Sequence, residues 1–163
     1  MISHGKTSTL IPVCAAAVIL GPMWATAPAR ADGGDQGGAV LNQINATRAD
    51  NGCGPVAPNA QLTAAAARQA NDMLVNGVVS HIGSDGSSVG QRATDAGYAP
   101  YAAVGEIIYW SVGLGSAPDA VVNGWMNSPG HRAIITDCNL TDAGFSAVSS
   151  GDKTTVAGDF GTK

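Results

Sequence analysis

Phe145-Ser146-Ala147-Val148-Ser149-Ser150-Gly151-Asp152-Lys153-Thr154-Thr155-Val156-Ala157-Gly158-Asp159-Phe160 is the stretch that decides the fold class. Phe145 to Val148 and Thr154 to Phe160 alternate as strands do, and Ser149 to Asp152 supply the turn between them. Working outward, Val104 to Val112 is apolar and β-branched enough for a further strand, yet it carries Glu106. The other regular elements read as helices, with Gly52 to Pro58 a rigid connection and Val78 to Ser88 a loop. Val40, Leu41, Ile44 and Thr47 share one face of a helix from about Ala39 to Asn51. Asn59 is a good N-cap and Gly77 a good stop for a second helix, Ala60 to Asn76, with Leu62, Ala66, Ala70, Met73 and Leu74 as its apolar face. Short helices follow from about Val89 to Ala96, from Ser116 through Met126, and from Ser128-Pro129 to Ile135. Helices come first and strands late, with no repeated βα unit. That layout predicts an α+β fold, a short antiparallel sheet with helices packed over it.

Composition narrows the function classes. The 163 residues are 45% hydrophobic and only 12% charged, which excludes a disordered chain. One domain is expected. The net charge is −4 and the pI about 5.0, with no basic stripe to neutralise phosphates. Nucleic acid and anionic membrane surfaces are therefore poor partners.

Residues 1–31 read as an export signal. Met1 to Thr9 carries Lys6 and no acid, Leu10 to Ala27 is apolar or small, and Ala29-Arg30-Ala31 is an A-x-A cleavage site before Asp32. Pro12, Gly21 and Pro22 interrupt the apolar run and shorten it below the ~20 residues that span a bilayer. Cleavage is thus expected, leaving no transmembrane segment, a Gly/Asp/Gln-rich flexible lead-in over 32–38 and one domain over 39–163. The mature portion would carry about −6, because Lys6 and Arg30 leave with the signal.

Cleavage also removes Cys14 and leaves Cys53 with Cys138. An even pair in an exported domain, without C-x-x-C spacing, reads as one disulfide rather than free thiols or a metal pair.

The candidate functional residues are conspicuous by scarcity. The expected mature chain has two histidines, His81 and His131, and a single glutamate, Glu106. Glu106 sits among apolar neighbours, where an ionised carboxylate needs a partner; Arg132 is one option. Asp85, Ser84, Ser87 and Ser88 read as turn or cap residues, and Ser128 as an N-cap. Trp110 and Trp125 read as core or cavity wall.

Three motifs in order carry a family resemblance: Ser80-His81-Ile82-Gly83-Ser84-Asp85-Gly86, then Val104-Gly105-Glu106, then Trp125-Met126-Asn127-Ser128-Pro129-Gly130-His131-Arg132. Together they resemble the CAP superfamily of cysteine-rich secretory, antigen 5 and pathogenesis-related 1 proteins, also called the SCP domain, in its bacterial secreted form. The resemblance spans roughly Val40 to Gly161 and implies an α-β-α sandwich. It also implies that His81, Glu106 and His131 line one cleft, which in several relatives binds a divalent metal. Two neutral imidazoles and a carboxylate are a ligand set suited to open zinc sites.

This chain departs from the family pattern in places. Ile107 replaces the Asn of the G-E-N motif, Ser128 stands where eukaryotic members have a second glutamate, and Val156 to Asp159 lacks the histidine of the late motif. A four-residue cluster therefore does not carry over. The leading expectation is an extracellular or cell-envelope binding module for a small ligand, lipid, sterol or divalent metal such as zinc. It is expected to act as a monomer. An interaction role toward envelope or host comes second. A metal-dependent hydrolase or protease using the His/Glu cleft comes third, since there is no H-E-x-x-H, no G-x-S-x-G and no free mature cysteine.

Overall fold

The computed structural model describes Met1, residues 33–113 and residues 116–163, with side chains from Gln36 onward in the first helix. Apart from Met1, the expected signal lies outside these residues. Contacts divide the chain into Met1–Arg30 and Ala31–Lys163, and the latter is described below.

Among the described residues, five helices and four strands follow one another: α1 (Gly33–Asp50), β1 (Ala57–Pro58), α2 (Ala60–Asn76), α3 (Val89–Asp95), β2 (Ala103–Val112), α4 (Pro118–Met126), α5 (Pro129–Ile135), β3 (Asp142–Ser150) and β4 (Lys153–Thr162). The sheet order is β1-β3-β4-β2. The decisive segment is a hairpin with a two-residue loop, and Gly151 holds φ +60° at its first position, as the mirror-image hairpin turns require. β2 pairs antiparallel with β4 over its whole length. The sheet differs from expectation in one respect. Ala57 and Pro58 pair parallel with Asp142 and Ala143, which makes the sheet mixed.

Alternation along the strands builds two cores, because successive side chains point to opposite faces. Ile107, Val156 and Ala147 pack with Val40 and Ile44 of α1, Val121, Val122 and Trp125 of α4, and Ile135 of α5. Their immediate neighbours Ile108, Ala157 and Val148 pack instead with Ala66, Ala70 and Met73 of α2. The result is a three-layer α-β-α sandwich.

Local signals explain the helix boundaries. Asn59 Oδ1 accepts from the amides of Gln61 and Leu62, and Gly77 closes α2 at φ +68°. The helix has the expected bounds, although Leu74 is only half-buried. α1 begins at Gly33, earlier than the Ala39 read from periodicity, so residues 33–38 are helical. The physical reason lies at Gly37. A Cβ there would sit 2.7 Å from the carbonyl oxygen of Phe145, so this glycine lets the helix lie directly on β3.

Cys53 and Cys138 form the disulfide. Beside it the buried Arg48 guanidinium donates to the carbonyls of Gly54, Ile135, Asp137 and Leu140. It thereby satisfies a carbonyl at the C-terminal end of α5, where a cation is favoured. Among the described residues no helix is long and apolar enough to cross a membrane.

Candidate functional site

The site forms where the loop between α2 and α3 meets strand β2. Side chains of β2 alternate in direction, so Glu106 shares the α2 face with Ile108. Its carboxylate is buried, with 1% of the side chain exposed, and both oxygens are engaged. Oε2 accepts from Arg92 Nη2 at 2.5 Å, and Oε1 lies 2.8 Å from His81 Nδ1. Arg92, one turn into α3, is the partner that sequence reasoning missed. Arg132 is occupied elsewhere, donating to the Met126 carbonyl.

Arg92 also holds the loop itself. Its Nη1 donates to the Ser87 carbonyl, and its Nη2 reaches the His81 carbonyl at 3.3 Å. From the other side, Gln69 of α2 is fully buried and donates through Nε2 to the carbonyl of Ser80. Two helices therefore grip consecutive carbonyls, and His81 is placed by backbone contacts before its ring meets Glu106. Within the loop Asp85 accepts from Ser87 N and pairs with Arg68, and Ser88 caps α3.

His131 arrives from α5. Its ring stands edge-on to that of His81, with centroids 6.2 Å apart and planes at 73°. Burial, and secondarily the proximity of His81, hold its pKa below the ordinary imidazole value, favouring the neutral ring. Ser128 occupies the N-cap position of α5 but its side chain makes no capping bond. The side chain of His81 remains 51% exposed.

One further acid belongs to this neighbourhood. Asp159 lies directly opposite Glu106 in the β2–β4 register and is fully buried, and among the described residues its carboxylate oxygens receive no hydrogen bond from a donor. Burial, then the negative charge of Glu106, push its carboxyl well above the usual range, with Arg92 opposing. The sequence held a signal for it, an acid inside an otherwise apolar strand, but not its cross-strand neighbour.

His81, Glu106 and His131 are thus brought together, though not as equals. The two imidazoles meet near the surface, while Arg92 draws the carboxylate inward to hold His81 from behind. Among the described residues, no three His, Cys, Asp or Glu side chains stand where one metal ion could take them all. The donor chemistry fits a metal through two imidazoles, with Glu106 fixing the ring of one, an arrangement typical of metal-binding histidines. The two tryptophans part company. Trp125 is buried and donates to the Ile108 carbonyl, whereas Trp110 is 55% exposed and walls no core.

Comparison with known proteins accords with this layout. The model of CAP, the cysteine-rich secretory protein family, matches residues 41–160. The chain belongs to that family. The matched span includes His81, Arg92, Glu106, His131 and Asp159. The CAP domain is similar in fold to an extracellular SCP-domain protein of Bacillus anthracis, with TM-score 0.68 and 22% identity over 80% of this chain and 41% of the other. It also resembles an outer surface protein of Borrelia burgdorferi, with TM-score 0.68 and 18% identity over 77% and 91% of the two chains. A third similar structure is NaASP2 with Zn2+, with TM-score 0.57 and 14% identity over 82% of each chain. This chain spans about two fifths of the B. anthracis protein. No curated protein matches it significantly.

Proposed function

We propose that the CAP domain is an exported binding module whose site is the His81/His131 pair, taking a divalent cation such as zinc. The observation that carries this reading is the 2.8 Å contact between His81 Nδ1 and the buried Glu106. It commits the Nδ1 side of the ring to the carboxylate and leaves the Nε2 side for a ligand, with a second, neutral-favouring imidazole beside it. The zinc present in the NaASP2 structure, a protein of similar fold, supports the choice of metal. A bound cation would supply Lewis acidity and an open coordination position; the residues of this chain supply the orientation of its ligands.

Thermal unfolding of the protein with zinc, with magnesium and with neither tests this. Zinc should raise the midpoint, since a ligand at 100 times its Kd stabilises by roughly 2.7 kcal/mol. His81→Ala and His131→Ala should each abolish the effect, and magnesium should have none. A zinc response that persists in the double variant overturns the assignment.

The export signal over 1–31, with the domain working outside the cytoplasm, belongs to the same proposal. N-terminal sequencing of protein recovered from culture medium should begin at Asp32.

A second reading, an apolar ligand such as a lipid or sterol, draws on a groove of about 350 Å³ where Leu41, Ala67, Phe145 and Val148 line the space between α1, α2 and β3. Lipid extracted from purified protein and identified by mass spectrometry would support it, and a lipid-free preparation that takes up none would dismiss it.

A further inference from the structure

Two Asn-x-Thr tripeptides occur in the chain, Asn45-Ala46-Thr47 and Asn139-Leu140-Thr141. In an exported protein this pattern is an acceptor for an N-linked glycan. The fold treats the two differently. Asn45 lies within α1, half-buried, and both ends of its amide are spent on Val56. Nδ2 donates to the Val56 carbonyl at 3.1 Å and Oδ1 accepts from the Val56 N–H at 2.9 Å, with Val56 itself in the core. A sugar at Asn45 would break that contact. Asn139 instead lies in the turn between α5 and β3, and both it and Thr141 are exposed. Its Nδ2 donates to Asp137 Oδ1 at 2.9 Å, as does its main-chain N–H. A primary amide carries two hydrogens, so the secondary amide left by glycosylation can still make this bond. Asp137 also places an acid two residues before the asparagine. That completes the longer Asp-x-Asn-x-Thr form which bacterial oligosaccharide transferases require.

We infer that Asn139 is the acceptor of an N-linked oligosaccharide, donated by a polyprenyl pyrophosphate-linked sugar. The Nδ2–C1 bond to the anomeric carbon forms as the bond from C1 to the pyrophosphate oxygen breaks. Polyprenyl pyrophosphate leaves with that electron pair, and one Nδ2 proton passes to a base of the transferase. The order of events follows from the main chain. In the folded domain the Thr141 N–H donates to the Gly161 carbonyl, the Thr141 carbonyl accepts from the Ala57 N–H, and Leu140 is buried. A segment so tied cannot bend into an enzyme cleft, so transfer acts on the exported chain before it folds. Folding then leaves the sugar outside. This inference rests on the export reading and is independent of the metal.

The test uses protein made by its own source organism, with the N-terminus sequenced and the peptides mapped by tandem mass spectrometry. The peptide that holds Asn139 should carry an added mass that fragments as sugar residues, and the peptide that holds Asn45 should have its bare mass. Asn139→Gln and Thr141→Ala should each abolish the addition, and Thr141→Ser should keep it. If Asn139→Gln is not recovered as folded protein, the two Thr141 variants decide. An exported, processed protein whose Asn139 peptide is bare overturns this inference alone. A sugar that persists in Asn139→Gln overturns the assignment to this residue. Protein that stays in the cell with residues 1–31 attached and no sugar overturns the export reading as well.

Discussion

Glu106 stands between Arg92 and His81, one carboxylate oxygen bonded to each, and only the histidine reaches the surface. A buried ion pair broken on one side leaves an uncompensated charge, which costs more than the pair itself contributes. Glu106→Ala should therefore lose about 3–5 kcal/mol in urea denaturation, because Arg92 stays buried without its counter-ion. Replacing both, with Arg92→Met and Glu106→Leu, should cost less than the single change. If Glu106→Ala loses under about 1 kcal/mol, the carboxylate is not the anchor of this cluster.

Asp159 sets a pH dependence of opposite sense to that of an ordinary salt-bridged carboxylate. Its pKa is raised on folding, chiefly by burial and next by Glu106. A carboxyl shifted upward stabilises while protonated, so its contribution is complete below the ordinary value of 3.8 and is lost as pH climbs through the raised one. Asp159→Asn removes that loss. Relative to the parent, the variant should gain stability as pH rises above 3.8, in denaturant titrations; a gap that does not change with pH would mean that Asp159 does not titrate with folding.

Adjacent glycines at the start of the domain should behave oppositely. Gly37→Ala places a Cβ against the Phe145 carbonyl and should destabilise by about 1–3 kcal/mol, as overpacking does. Gly38→Ala meets nothing within 4 Å and should stabilise by up to ~1 kcal/mol, through helix propensity. Melting curves of the two variants separate these effects. If both substitutions stabilise, α1 does not lie directly on β3.

Reducing the disulfide tests the cross-link. Cys53 and Cys138 are separated by 85 residues, and closing a loop of that size is worth at most ~4–5 kcal/mol in the chain-entropy view. Cys53→Ala with Cys138→Ala should lower stability by a large part of that figure and remove any response to dithiothreitol. Arg48 bonds to carbonyls on both sides of the bridge, so the double variant should keep the native fold, with circular dichroism unchanged.

Much of this was legible in the chain because local rules govern it. Asn59 and Gly77 bracket α2 by capping chemistry, and the period-2 pattern from Phe145 to Phe160 marks the hairpin. The scarcity of histidine and glutamate singled out His81, Glu106 and His131, and the spacing of their motifs pointed to the family. The start of α1 was misread because glycine has two meanings. In isolation it signals flexibility, whereas at Gly37 it signals the close approach of a helix to a strand.

Only the tertiary structure decided who pairs with whom. Arg92 and Gln69 lie on helices whose local patterns say nothing of Glu106 or Ser80, and Asp159 acquires its meaning from the strand register. Elements form from neighbours along the chain, through torsional preference and side-chain periodicity. The charge state and orientation of buried polar groups depend instead on partners distant in sequence, because in a poorly solvated interior each such group must find its counterpart wherever the fold brings one.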